Sequence, residues 1–421
     1  MATLRPILRS VMQLGSGDFL GRLCAIATVV LLGHRYGVAV VGSYALGMTV
    51  SYYLQPLIDF GLRHIGARLM ARYPQSAGEI MRRVQHRRLA MAAVALPLTL
   101  LYSWMTRFPP EMKVWLFIFS ATSVLYTLSL EWAAWGREQL QLVGLTRVFV
   151  PLCILLAVLV APRDAMQVLW WGSAGNACGF LMQALVFRAW WKRYRAGTTA
   201  SVEVKEIAEA LAFRRTTIMG LSVVAGVAFN SIDTLMLGVM STPQQVGLYG
   251  ASYRVLNQVL VTYYLLTNVL YPRFARQDEA GRVRSLRPMN LLALMGTGIL
   301  VAGLITLLRG PILLILFGPQ FGAAGLLLLL LAWAIPLDFL TTYLSTAYAA
   351  WGMEKKTLLC TGVAAGSNIV LNLAWIPQYG AAAAAVNTLV SYVIFLAALA
   401  LAARGFRKLM PQRQPQPEMM V

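Results

Sequence analysis

The chain has 421 residues, of which 58% are apolar and 12% charged, with a mean hydropathy of +0.65 and a formal charge of +20. A soluble domain carries about twice that charged share, so a water-soluble globular enzyme is excluded in favour of a chain that crosses a bilayer many times. The cations sit in short loops between apolar runs, the pattern of the positive-inside rule rather than of a nucleic-acid surface.

Hydrocarbon offers no partner to a bare N–H or C=O, so each apolar run of ~20 residues must be a helix. Twelve such runs are expected, at 14–35, 38–60, 89–106, 114–134, 143–161, 167–187, 216–239, 247–271, 289–308, 323–349, 357–376 and 381–402. The basic start MATLRPILRS leads into the first run without a small-residue cleavage signature, so that run reads as a retained span. The segment RGPILLILFGPQF (309–321) is short and bounded by Gly and Pro, and is expected to be interfacial or re-entrant.

Alternate loops differ sharply in charge. Loop 61–88 holds Arg63, Arg68, Arg72, Arg82, Arg83, Arg87 and Arg88, and loop 188–215 holds a further seven cations. The loops of the opposite parity hold only Arg35, Arg107, Lys113, Arg163 and Arg309, a split of about 28 to 5 with three more cations inside spans. Both termini are therefore expected in the cytoplasm, at the inner (plasma) membrane. Loop 188–215 is the longest polar interruption and includes a candidate surface helix, VEVKEIAEALAFRR. It divides the chain into a six-helix lobe (1–187), a basic linker (188–215), a second six-helix lobe (216–405) and a Pro/Gln-rich tail (406–421) expected to be disordered.

The halves repeat at an offset of 205 residues. Leu32, Gly33, Val41, Gly42 and Tyr44 match Leu237, Gly238, Val246, Gly247 and Tyr249, and Arg68 matches Arg273. An even number of spans in each half gives a parallel repeat about an axis normal to the membrane. Two such lobes around a central cavity can rock, which points to transport by alternating access.

Ionisable residues inside spans are costly and must face a cavity or a partner. Asp18 and Arg22 are four apart on one helix face, a spacing that permits pairing. Arg22 and Arg254 are candidates to hold an anionic group, because guanidinium offers phosphate a planar fork of donors and stays charged. Asp233 either neutralises Arg254 or binds a coupling cation, Na⁺ or H⁺; structural pairing is the favoured expectation. Glu131, Arg147 and Asp59 fall near span ends. Tyr52, Tyr53, Asn257, Tyr263, Tyr264 and Asn268 are candidates to line a sugar-binding wall, or alternatively an interfacial aromatic belt. Pro56, Pro97, Pro151 and Pro336 bend or break helices. Cys24, Cys153, Cys178 and Cys360 lie in apolar spans without metal-ligand spacing. No phosphate loop, nucleophile elbow, metalloprotease motif or channel filter is present in the sequence, so no catalytic residues, metal or cofactor are assigned.

Several stretches resemble the polysaccharide (O-antigen) flippase family, within the superfamily that also holds lipid II flippases and multidrug and toxic compound extruders. These are LLGHRYGVAVVGSYALGMTV with LIDFGLRHIGARLMAR, then NSIDTLMLGVMSTPQQVGLYGASYRV with VLYPRFAR, and LLILFGPQFGAAGLLLLLLAWAIP. The most specific is NIVLNLAWIPQYGAAAAAVNTLVSY (368–392). The resemblance implies an all-α fold of about twelve spans in two pseudo-symmetric lobes. It also implies a flippase moving polyprenyl-diphosphate-linked oligosaccharide to the outer leaflet for surface polysaccharide assembly, with polymerase and ligase machinery as candidate partners. Twelve spans fit poorly to lipid II flippases, which usually have fourteen. A cation-coupled multidrug antiporter is the alternative, with Asp18 or Asp233 as its carboxylate.

Overall fold

The computed structural model describes residues 4–195, 207 and 211–409, and among these every regular element is helical. The first lobe comprises α1 (Leu4–Tyr36), α2 (Val38–Asp59), α3 (Leu62–Arg72), α4 (Ala77–Met105), α5 (Pro110–Ser123), α6 (Glu131–Gly136), α7 (Leu140–Arg147), α8 (Phe149–Val160) and α9 (Ala165–Arg195). The second comprises α10 (Phe213–Met240), α11 (Pro243–Ala275), α12 (Glu279–Ser285), α13 (Pro288–Phe317), α14 (Ala324–Ala332), α15 (Ile335–Ala350) and α16 (Glu354–Leu409).

Seven segments are long and apolar enough to cross a membrane on those grounds alone. The last of them lies in α16, which is two limbs, and α2, α9, α10 and α11, each of 22 to 33 residues, bring the span-length limbs to twelve. The two limbs of α16 run antiparallel. Asn387 Nδ2 donates to Asn372 Oδ1 at 2.9 Å, whereas a straight helix would hold residues fifteen apart at ~22 Å. The reversal is at Gly380, whose φ of 58° and ψ of −133° suit only glycine. Gln245 Oε1 of α11 accepts the freed Ala381 N–H at 3.0 Å and fixes the turn.

Three expected spans are broken helices. Span 4 is α5, a 3-10 stretch (Val124–Leu128) and α6. Span 5 breaks between α7 and α8, just before Pro151, and span 10 breaks between α14 and α15, just before Pro336. The 309–321 segment differs from expectation: it is not a separate re-entrant piece. α13 runs through Pro311 to Phe317 and ends at Gly318, with φ of 96°. An apolar run has no better way to satisfy its backbone in lipid than to remain helical across one missing N–H.

The segment 61–88, expected as a loop, is largely helical. α3 lies across the basic end, and α4 begins at Ala77, twelve residues before the expected span. α9 continues to Arg195 and α16 to Leu409, into the expected linker and tail. Of the surface helix expected at 202–215, residues 207 and 211–215 are described and 213–215 open α10; the rest of it, with 410–421, lies outside the described residues.

The starting arginine of span 3 is therefore interior. Arg88 is fully buried, and its Nε donates to Asp59 Oδ1 of α2 at 2.8 Å. Its other nitrogens donate to the carbonyls of Tyr126, Thr127 and Ser129 at 2.8–3.2 Å. Those carbonyls lie at the break in span 4, where the regular helical ladder is interrupted; Tyr126 O also accepts from Ser129 N–H at 3.0 Å. Gln85 donates to Thr127 O as well, and the Tyr126 hydroxyl donates to Asp59 Oδ2 at 2.8 Å. Replacing Arg88 with Met leaves the buried Asp59 carboxylate without its cation and takes a donor from each of three carbonyls, a loss of about 3–5 kcal/mol. We expect detergent-solubilised Arg88→Met to melt far below wild type and Asp59→Asn/Arg88→Met to recover part of the difference. A single variant as stable as wild type would show that the pair does not hold the break.

Candidate functional site

The lobes meet along a seam formed by α2 against α10 and α11, and by α1 against α13. At the end opposite the arginine-rich loops, here the far end, α2 and α11 cross at glycines of the repeat. A methyl group at Gly42 would lie 1.9 Å from Pro243 O, and one at Gly247 would lie 2.2 Å from Val38 O. Two backbones approach this closely only where both side chains are absent. The repeat-related residues thus face each other across the seam. The α1 outer turns close the same end: Gly33 packs on Phe317 and Phe321, and Gln320 donates to Gly33 O.

Moving along α11 toward the basic end, Arg254 follows Pro243 by eleven residues, or ~16 Å, about half of a ~30 Å hydrocarbon core. Its Nη1 donates to Ala25 O of α1 at 3.4 Å, and its guanidinium lies 6.0 Å from the Tyr44 ring of α2. Three helices from both lobes therefore converge on one cation. Arg22 lies three residues before Ala25 on α1, half-buried. The two arginines singled out in the sequence thus stand within about one helical turn along α1, and neither makes an ion pair among the described residues. Phe19, Leu20 and Leu23, 46–62% exposed, flank Arg22 with apolar surface.

The expected Asp18–Arg22 pair does not form. Asp18 turns instead to Arg147 of α7, whose Nη1 reaches its two oxygens at 3.1 and 3.2 Å. Arg147 also donates to Glu131 Oε1 at 2.7 Å, and Arg63 of α3 reaches the same oxygen at 2.7 Å. This Asp18–Arg147–Glu131–Arg63 chain alternates in sign from end to end. Tight packing of α1 on α7, where a methyl at Gly17 would meet Gly144 O at 1.8 Å, orients Asp18 toward Arg147 and away from its own helix neighbour.

Asp233 also departs from expectation: it does not neutralise Arg254. It is 2% exposed, inside the second lobe, and has only neutral partners. Its Oδ2 accepts from the Tyr249 hydroxyl at 2.9 Å and from Thr388 Oγ1 at 3.0 Å, and its Oδ1 accepts from Asn372 Nδ2 at 2.5 Å. Asn372 also donates to Asn368 Oδ1 at 2.8 Å. Asn387 Oδ1 is buried without a hydrogen-bond partner. One carboxyl group that accepts from an amide N–H and two hydroxyls has no cation paired to it among the described residues, a setting suited to one proton or one small monovalent cation. Asn368, Asn372, Asn387 and Thr388 were not assigned from sequence. Their signal was present as polar residues recurring at i and i+4 in an otherwise apolar span.

The aromatic and amide candidates separate. Tyr52 is 63% exposed on α2, and Asn257 is half-buried one turn from Arg254. The Tyr53 hydroxyl is committed to Val227 O at 3.3 Å. Tyr263 is no free sugar-facing hydroxyl: it donates to Phe339 O at 2.8 Å and stacks on the Phe339 ring at 3.9 Å. Tyr264 is 55% exposed, and the Asn268 side chain lies outside the described residues.

Known proteins share this architecture. The lipid II flippase MurJ, in an inward closed conformation, matches over 93% of this chain and 87% of its own, with a TM-score of 0.72 at 14% identity. The multidrug transporter DinF-BH covers 94% of each chain at a TM-score of 0.64 and 13% identity. The Vibrio cholerae transporter VcmN covers 97% of this chain and 99% of its own, at 0.57 and 14%. At such identities these likenesses show the fold: a two-lobed, multi-pass membrane transporter fold. The probable flippase AglR of Haloferax volcanii is 24% identical over 172 residues, which span 40% of this chain and only 36% of that relative's length. The sequence model of the polysaccharide biosynthesis protein family matches residues 7–277, well over half of the chain, and the chain belongs to that family.

Proposed function

We propose that this chain is a flippase that moves polyprenyl-diphosphate-linked oligosaccharide from the cytoplasmic to the outer leaflet for surface polysaccharide assembly of the O-antigen type. It works by alternating access and takes no catalytic part in the chemistry. The observation that carries this reading is the pair of half-buried arginines, Arg22 and Arg254, at the point where α1, α2 and α11 converge, with no carboxylate paired to either. A diphosphate supplies the missing negative charge, and guanidinium forks match its oxygens. Exposed Phe19, Leu20 and Leu23 beside Arg22 offer the polyprenyl chain an apolar flank toward lipid, while Tyr52 and Asn257 face the sugars. The family and the flippases among its relatives support the same reading.

In this reading the basic end and both termini are cytoplasmic, in the inner membrane. Transport separates the glycine crossing of α2 and α11 so that the cleft opens to the far side. Polymerase and ligase machinery receive the delivered units. Asp233 is the coupling site for Na⁺ or H⁺, because its neutral cage leaves one charge to be balanced. The same carboxylate, together with the likeness to multidrug transporters, favours one second reading, a cation-coupled drug antiporter.

In cells lacking the protein, lipid-linked oligosaccharide accumulates on the cytoplasmic leaflet and wild type restores surface glycan. Arg22→Ala and Arg254→Ala, expressed at normal levels, lower the flipping rate at least about tenfold each, the scale of one charge-assisted contact. Arg254→Lys recovers only part, because a point charge lacks the fork. Normal surface glycan without the protein, with new sensitivity to cationic drugs, would overturn the flippase reading in favour of the antiporter.

Asp233→Asn keeps the size of the side chain and removes its charge. In proteoliposomes we expect wild-type transport to rise several-fold under an imposed Na⁺ or proton gradient and the variant to show no such response while retaining wild-type melting. An unchanged gradient response in Asp233→Asn removes Asp233 from coupling.

A further inference from the structure

We infer that a groove at the far end of the second lobe, between α13 and α14, binds an anionic phospholipid, with Arg309 as its headgroup contact. The groove encloses about 530 Å³ and is formed by the last turns of α13 and the turn into α14, with Arg309, Pro311, Leu314, Gly318, Gly322 and Gly325 in its lining. Among the described residues, Arg309 is the only ionisable one lining it. Its Nη1 donates to Thr306 O of its own helix at 2.8 Å, and it makes no ion pair among the described residues. No carboxylate therefore competes for its charge within the groove.

Its depth is what a headgroup requires. α13 starts at Pro288 beside Arg284 and Arg287 of the basic end, and Arg309 follows twenty-one residues later, ~32 Å along the axis. That is the thickness of the hydrocarbon core, so the guanidinium stands at the far boundary, level with lipid phosphates. Leu307, which lines the groove, continues toward the midplane through Leu304 and Leu300 at helical spacing, and the three are 77, 56 and 75% exposed, an apolar track for an acyl chain beside the groove. The groove is shaped by missing side chains. A methyl at Gly310 or Gly325 would meet nothing within 4 Å, so the space beside Arg309 is open rather than filled by a neighbour.

A lipid with net negative charge fits better than a zwitterionic one. The lone cation balances a phosphate, whereas a choline headgroup brings a second cation with no carboxylate in the groove to receive it. The site abuts the seam, since a methyl at Gly318 would come within 3.7 Å of the His34 ring at the end of α1. A lipid held here is therefore positioned to sense the relative placement of the lobes. This inference needs neither a particular transported substrate nor transport itself.

The test is native mass spectrometry of the purified, detergent-solubilised full chain, titrated separately with phosphatidylglycerol, phosphatidylcholine and a short polyprenyl phosphate. We expect phosphatidylglycerol to bind at least about tenfold tighter than phosphatidylcholine. Arg309→Gln should abolish that preference, and Gly325→Leu, which places a side chain in the open groove, should weaken phosphatidylglycerol binding. Arg163→Gln, which removes a far-end cation outside the groove, should leave both unchanged. Wild-type melting temperatures for all variants exclude misfolding, and any variant that melts lower is replaced by Arg309→Lys, expected to keep the preference. Equal binding of the two phospholipids by wild type, a preference that survives Arg309→Gln, or polyprenyl phosphate binding that Arg309→Gln weakens as much as it weakens phosphatidylglycerol binding would each overturn the proposal. Because the readout is binding, a failure here leaves the flippase reading untouched, and a failed flipping assay leaves this site standing.

Discussion

Hydrocarbon cannot hydrogen-bond, and a charge or an unpaired carbonyl placed in it costs several kcal/mol unless the protein itself supplies a partner. Most of this structure is an answer to that constraint. Arg88 is the clearest case. The break in span 4 interrupts the ladder around the carbonyls of Tyr126, Thr127 and Ser129, and one guanidinium donates to all three while neutralising Asp59 on the neighbouring helix. The Asp18–Arg147–Glu131–Arg63 chain applies the same logic nearer the basic end, balancing two anions against two cations over four helices. Once these groups are accounted for, Arg22, Arg254, Asp233 and Asp338 remain within the spans without an ion pair among the described residues, and the two arginines meet at the seam.

The seam between the lobes follows a different rule, that of close approach. Gly42 and Gly247 let two backbones touch, and this contact is made by equivalent positions of the internal repeat. In lipid, association of helices rests on packing and not on exclusion of water, so a contact built from backbone alone is tight yet contains no salt bridge to break. α1 divides its packing between lobes, with its basic half on α7 and α8 and its outer turns on α13. Any change in the angle between lobes must therefore be taken up within α1, the helix that carries Arg22 and offers its Ala25 carbonyl to Arg254.

The spans were legible in the sequence because apolar runs of helical length and the alternation of charge between loops together mark them, and all twelve are found as helical limbs. What was not legible depended on partners far along the chain. Asp18 and Arg22 satisfy the i,i+4 rule, yet Asp18 pairs with Arg147, 129 residues away, because α7 packs on that face of α1. Arg88 read as a loop cation among seven arginines, since nothing local marks one of them as buried. Asp233 and Arg254 were matched by opposite charge, whereas they sit on different sides of α10 and α11, one inside the lobe and one on the seam. The asparagines of α16 formed part of a stretch that carried the family resemblance, but their convergence on Asp233 depended on the reversal at Gly380, which brings together residues from both limbs.

The position of Asp233 bears on how an ion could drive movement. Its cage joins α10, α11 and both limbs of α16, and α10 and α11 are also the helices that face α2 across the seam. With a cation or proton bound, the cage is neutral and its packing is intact. On the coupling reading, loss of that cation or proton leaves a bare carboxylate among neutral donors, which biases the helices that enclose it toward rearrangement. A ligand shifts an equilibrium only by its differential affinity for the two states, so a tenfold difference in cation affinity between lobe arrangements moves their balance by ~1.4 kcal/mol. An anion bridging Arg22 and Arg254 acts on the same helices from the other face of α11. On the flippase reading, cation and substrate thus bias one shared pair of helices, and coupling between them requires no path longer than the width of a single helix.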